Sequence, residues 1–173
     1  LAVSASSIAN NEGLLQSQTS LEIASQDIDT TQGTIATLGE LNASVSNDIN
    51  NTEGEILTGG ANEINTQNVD NSAGLIQSGD NLTLTAKDIN NTAGTISADE
   101  SLTLLADALE NVTGTIQSLS ESIESATTIT ISNALNNEQG VIQTNNNQFT
   151  LFANQLDNLS VNDSRANIIH AGN

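Results

Sequence analysis

Asp27-Ile-Asp29 followed by Gly33 sets two carboxylates and a glycine at spacings that partly match a calcium loop. Such a loop closes on a bidentate glutamate at its twelfth position, and here that place falls on Leu38. The glycine- and aspartate-rich nonapeptide that binds calcium in β-rolls is absent too, so no defined metal site is expected, only diffuse weak Ca²⁺ attraction to acidic surface. The single histidine, His170, has no cysteine anywhere in the chain and no evident triad to join. Paired carboxylates could hydrolyse glycosidic bonds. No basic residues cluster to hold an acidic polysaccharide, however, and no Trp or Tyr can stack on a sugar ring. Phe149 and Phe152 read as core or near-core positions. Neither catalysis nor a bound cofactor is expected.

Composition bounds the partners. Two basic residues, Lys87 and Arg165, stand against 21 acidic ones, for a net charge of −19. A phosphate backbone would be repelled, so nucleic acid is excluded as a partner, and anionic membrane surfaces are disfavoured for the same reason. No apolar run approaches the ~18 residues that span a bilayer as a helix. Hydrophobic residues make up 36% and fall periodically, which argues for a folded chain. N-x-S/T sequons occur at Asn42, Asn50, Asn81, Asn90, Asn111, Asn158 and Asn162; the repeat chemistry described next generates them. The absence of cysteine suits a chain threaded unfolded through a membrane pore.

The elements that position these residues come from a repeat. Gly13, Gly33, Gly54, Gly74, Gly94, Gly114 and Gly140 recur at intervals of 20, 21, 20, 20, 20 and 26 residues. An aliphatic residue precedes each glycine by five (Ile8, Ile28, Ile49, Val69, Ile89, Leu109, Leu135), and another follows by two (Leu15, Ile35, Ile56, Ile76, Ile96, Ile116, Ile142). Three places before the glycine stand Asn10, Asn51, Asn71, Asn91, Asn111 and Asn137, with Thr30 as the exception. Four places after it the residue is small: Ser17, Thr37, Thr58, Ser78, Ala98, Ser118 or Thr144. The second half of each repeat alternates with period two, as in Leu82-x-Leu84-x-Ala86, the mark of a half-buried strand.

A period near 20 predicts a stacked solenoid in which no coil buries its apolar face alone. With no Pro, Asn-Gly or Asp-Gly in the chain, the strongest hairpin signals are missing. Equivalent strands must then stack in parallel, two or three per coil, and crossover chirality favours the right hand. The expected fold is all-β: a right-handed parallel β-helix of about eight coils. The glycines are expected to take left-handed corners, and the asparagines to stack as a ladder beside them. Thr83-x-Thr85 is not expected to repeat in register in neighbouring coils, so no flat threonine lattice for ice is expected.

Residues 1–173 read as a single repeat segment, with both ends cut mid-repeat, and so as an excerpt of a longer rod. The segment 119–134 carries six extra residues and reads as an insertion loop, the place where solenoids present binding residues. The segment 156–166, with Arg165, reads as an irregular coil. Asn167-x-Ile169-x-Ala171 restarts the first half of a repeat.

The motif [IVL]-x-N-x-x-G-x-I-x-[ST] followed by L-x-L-x-A, in seven tandem copies over nearly the whole chain, resembles the filamentous haemagglutinin repeats of bacterial exoproteins. The resemblance implies a β-helical fibre exported by two-partner secretion, with an outer-membrane β-barrel transporter as partner and the secreted or cell-surface compartment as destination. It further implies an adhesin or the stalk of a contact-dependent growth inhibition effector, with a host or bacterial surface receptor. The N-P-N-type motifs of the family's amino-terminal secretion domain are missing. The expectation is therefore a monomeric rod serving as shaft, with a binding module at 119–134 as the competing reading.

Overall fold

The structure, a computed structural model, describes residues 1–145 and 148–158 and the backbone of 168–170. Alternation dictates its unit. In Leu82–Thr85 the two leucines turn inward and Thr83 and Thr85 turn out, as strand periodicity requires. The coil continues through Asp88–Asn90 and Thr95–Ala98, so each coil has three strands. Equivalent strands pair in parallel one coil apart: Leu82 lies opposite Leu102, Ile89 opposite Leu109, and Ile96 opposite Ile116. Repetition gives an all-β parallel solenoid with about eight coils and no helix among the described residues. The first two strands of the coils bend into one 13-stranded sheet, and the third strands form an 8-stranded sheet.

The repeat columns become continuous stacks in the core. Ile8 through Leu135 pair rung by rung along the second strands, and Leu156 adds a rung above Leu135. The column from Leu15 to Ile142 does the same in the 8-stranded sheet, and the backbone of Ile169 pairs with Ile142. Ile76, Ile96, Ile116 and Ile142 are wholly buried. Each such side chain contributes about 2 kcal/mol of burial. One rung breaks the pattern: Asn62 occupies the place of Leu41 and Leu82, is buried, and finds no hydrogen-bond partner for Oδ1 or Nδ2.

One expectation changes in detail. The segment 119–134 is not a loop throughout, because Ala126–Asn136 is a strand with Ile129 and Ile131 in the core. Register locates the extra residues: Leu102 pairs with Thr127, an offset of 25, and after a bulge Leu109 pairs with Leu135, an offset of 26. Most of the insertion therefore widens one corner, and one residue is absorbed as a bulge. Thr83-x-Thr85 meets Glu63-x-Asn65 on one side and Thr103-x-Leu105 on the other, so the pair is not repeated in the neighbouring coils, as expected. Thr83, Thr103, Thr128 and Thr150 form an in-register outward column, whereas the neighbouring column reads Thr85, Leu105, Thr130 and Phe152. Of the segment 156–166, Leu156–Asn158 extend the solenoid, and the remainder, Arg165 included, lies outside the described residues.

Candidate functional site

The corner before each glycine is the most repeated feature of the molecule. Its backbone turns through a bond from the glycine N–H to the carbonyl three residues back, as in Gly94 to Asn91. Of the turns such a bond closes, the type II form takes a positive φ at its third position. The residue there is not the glycine but the one before it. Glu12, Gln32, Glu53, Ala73, Ala93, Thr113 and Gln139 have φ between 53° and 56°, and no described glycine has positive φ. Glycine is required at the next position for another reason. A Cβ on Gly74, Gly94, Gly114 or Gly140 would overlap the backbone carbonyl oxygen of the previous coil's asparagine and crowd its own corner's Asn Oδ1. The expectation of left-handed glycines is thus corrected: close approach, not φ, selects glycine here.

The approach lets the asparagine amides meet. Asn51, Asn71, Asn91, Asn111 and Asn137 are fully buried. From Asn51 on, each Nδ2 donates to the Oδ1 of the next coil, through Asn71, Asn91, Asn111 and Asn137 to Asn158, at 2.6–2.8 Å. Each amide also holds backbone carbonyls: Asn91 Nδ2 reaches Gly94 O at 3.3 Å and Thr115 O at 3.2 Å. Aligned amide dipoles in a dry interior strengthen one another. Thr30 interrupts this chain. Asn10 Nδ2 donates to Thr30 Oγ1 at 3.1 Å, but Asn51 Oδ1 is left without a partner.

A second device at this corner has no counterpart in the repeat motif. One place before the asparagine, on the outer surface, the column reads Asp29, Asn50, Asp70, Asn90, Glu110, Asn136, Asp157. Asp29, Asn50, Asp70, Asn90 and Asn136 each accept the backbone N–H two residues on, pinning the turn. The alternation of carboxylate and amide keeps like charges from stacking on adjacent rungs, and Asn136 Nδ2 donates to Glu110 Oε2 at 2.9 Å. Hydrogen bonds from Asn11 and Thr31 hold the Asp29 carboxyl below its ordinary value.

The opposite corner, after the third strand, carries the insertion. Glu100 Oε2 accepts from Ser125 Oγ at 2.6 Å and Ser120 Oγ at 2.7 Å, and the two hydroxyls lie 2.9 Å apart. Ser125 and Ser120 together hold the Glu100 carboxyl below the ordinary glutamate value of 4.5. The latch ties 120–125 to the coil beneath while Leu119 and Ile123 stay exposed. Gln148 Nε2 donates to Ile123 O from the coil above.

Charge is unevenly shared among the faces. Outward positions of the second strands include Asp27, Asp29, Asp48, Asp70, Asp88, Glu110 and Asp157. The third strands present two outward columns, Leu14, Thr34, Glu55, Leu75, Thr95, Thr115, Val141 and Gln16, Ala36, Leu57, Gln77, Ser97, Gln117, Gln143; Glu55 is the sole charge among them. Gln143 Nε2 donates to Gln117 Oε1 and Gln117 Nε2 to Ser97 Oγ along the axis.

The predicted corner residues Gly13, Gly33, Gly54, Gly74, Gly94, Gly114 and Gly140 thus meet Asn10, Asn51, Asn71, Asn91, Asn111 and Asn137 at one edge of the solenoid. Among the described residues, no three His, Cys, Asp or Glu side chains converge to hold a metal ion. The His170 side chain and Asn162 lie outside the described residues, and the sequon at Asn111 is wholly buried. Searches of family models, of curated proteins and of solved structures each found no match to this chain. What the geometry defines is a parallel β-solenoid repeat protein with a buried asparagine ladder along one corner.

Proposed function

We propose that this chain is a structural shaft from a large secreted or surface-tethered bacterial adhesin of the filamentous haemagglutinin type, holding another segment away from the cell. The observation that carries the reading is the unbroken run of asparagine rungs from Asn51 to Asn158 beside Gly54, Gly74, Gly94, Gly114 and Gly140, a device for length and stiffness. Export through an outer-membrane two-partner transporter belongs to the same reading, as does the alternative that the shaft is the stalk of a contact-dependent inhibition effector.

The exposed Leu119 and Ile123 on the latched corner favour a second reading, a receptor-contacting module. Beads coated with the folded chain, and with a variant lacking 120–124, separate the two. A shaft leaves both kinds of bead equally non-adherent to epithelial cells and to bacteria. Adhesion by the intact chain that disappears with the deletion replaces the shaft by the receptor module.

A further inference from the structure

We infer that the third-strand face is a lateral pairing surface, and that its partner is the same face of a second copy of this chain. The first argument is electrostatic. A copy approaching with a net charge of −19 meets repulsion from the second-strand face and its carboxylate column. On the third-strand face the outward positions of the described residues carry one charge, Glu55. Two such faces come together with little like-charge cost, and the outward amides of Gln16, Gln77, Gln117 and Gln143 supply donors and acceptors.

The second argument is shape. Leu38 projects from the edge of this face and is 73% exposed. One and two coils further on, the same corner position is Gly59 and then Gly79, which present no side chain. Leu38 also forms one wall of a shallow hollow of about 340 Å³, lined further by Ala36, Leu57, Gly59 and Gln77. Set face to face about a two-fold axis, Leu38 of each copy seats against the hollow of the other. This departs from the monomeric rod expected of the sequence.

Size sets the strength. Seven strands at about 4.8 Å and four residues at about 3.3 Å cover roughly 450 Å² per copy, or about 900 Å² for a pair. That area falls short of the roughly 1,000 Å² of a stable interface, so the contact is weak and pairing is expected only as the chain approaches millimolar concentration.

Sedimentation equilibrium of the chain from about 10 μM to about 2 mM, in about 0.5 M salt to screen the acidic faces, tests the inference. The apparent mass should rise from 17.9 kDa toward twice that value and no further. Leu38→Glu and Gln77→Glu should each weaken pairing at least tenfold, while Thr103→Glu, on the threonine column, should leave it unchanged. All three sites are at least partly exposed, and circular dichroism confirms that each variant keeps its fold. A wild-type mass fixed at the monomer value overturns the inference. So does open-ended association, or equal loss of pairing with Thr103→Glu and Leu38→Glu.

Discussion

The two corners flanking the third strand obey different rules. The corner before it repeats a left-handed residue followed by glycine in seven coils, and from Asn51 to Asn137 it adds a buried asparagine, with the glycine pressed against the coil beneath. The corner after it reads Gln18-Thr19-Ser20, then Leu38-Gly39-Glu40, Gly59-Gly60-Ala61, Gly79-Asp80-Asn81 and Asp99-Glu100-Ser101, and in the next coil opens into 119–125. The first is fixed because an inward side chain must bond to the coils above and below. At the second, buried hydroxyls of the third strand, such as Thr37, Ser78 and Ser118, bond backbone carbonyls of the corner beneath, so the corner's own side chains vary and extra residues are accommodated. A solenoid is decorated where its corners interlock through backbone carbonyls, which any residue supplies.

That contrast can be broken most severely at the ladder. Asn91→Leu removes the amide that serves Gly94, Asn111 and Thr115 and strands buried acceptors, so urea unfolding should register a loss of about 4 kcal/mol. Gly94→Ala forces a Cβ into the carbonyl of Asn71, and the same titration should show a loss of about 3 kcal/mol. Asn62→Leu restores the leucine column and removes two unpartnered buried atoms; its midpoint should move upward, by about 1.5 kcal/mol. Thr30→Asn offers Asn51 Oδ1 its missing donor and should stabilise by about 1 kcal/mol, provided the buried amide seats as its neighbours do.

The smallest effect belongs to the permissive corner. Deleting 120–124 restores three residues between Ser118 and Thr127, the number between Ala98 and Leu102, and should change stability by less than about 1 kcal/mol. The deletion should erase one local pH response. Because the folded Glu100 value is depressed, its latch is intact above the ordinary 4.5 and is lost as pH falls through the depressed value. Amide exchange at 119–125 in the intact chain should accelerate over that acid range; exchange that stays flat there would remove Glu100 from the latch.

Much of this architecture is legible in the residues. The glycine interval set the coil, the aliphatic pairs at −5 and +2 became the core columns, and strict alternation gave strands. What stayed hidden was backbone conformation carried by chemically diverse residues. The left-handed position is Glu, Gln, Glu, Ala, Ala, Thr and Gln in turn, all with side chains in solvent, so composition leaves no mark there. The Asp/Asn alternation at −4 escaped notice because its rule lies between coils, one rung to the next, and not within a repeat. The Glu100 latch joins residues 20 and 25 apart and becomes visible only once coils are stacked.

Parallel stacking with bonds only between adjacent coils also fixes how the rod answers a pull. Tension on one end cannot be shared across the whole solenoid; it peels the terminal coil from its neighbour and leaves the rest intact. Each release frees about 20 residues, or about 65 Å of contour. Under load the molecule would pay out slack coil by coil and rewind when the tension falls, behaving as an extensible tether.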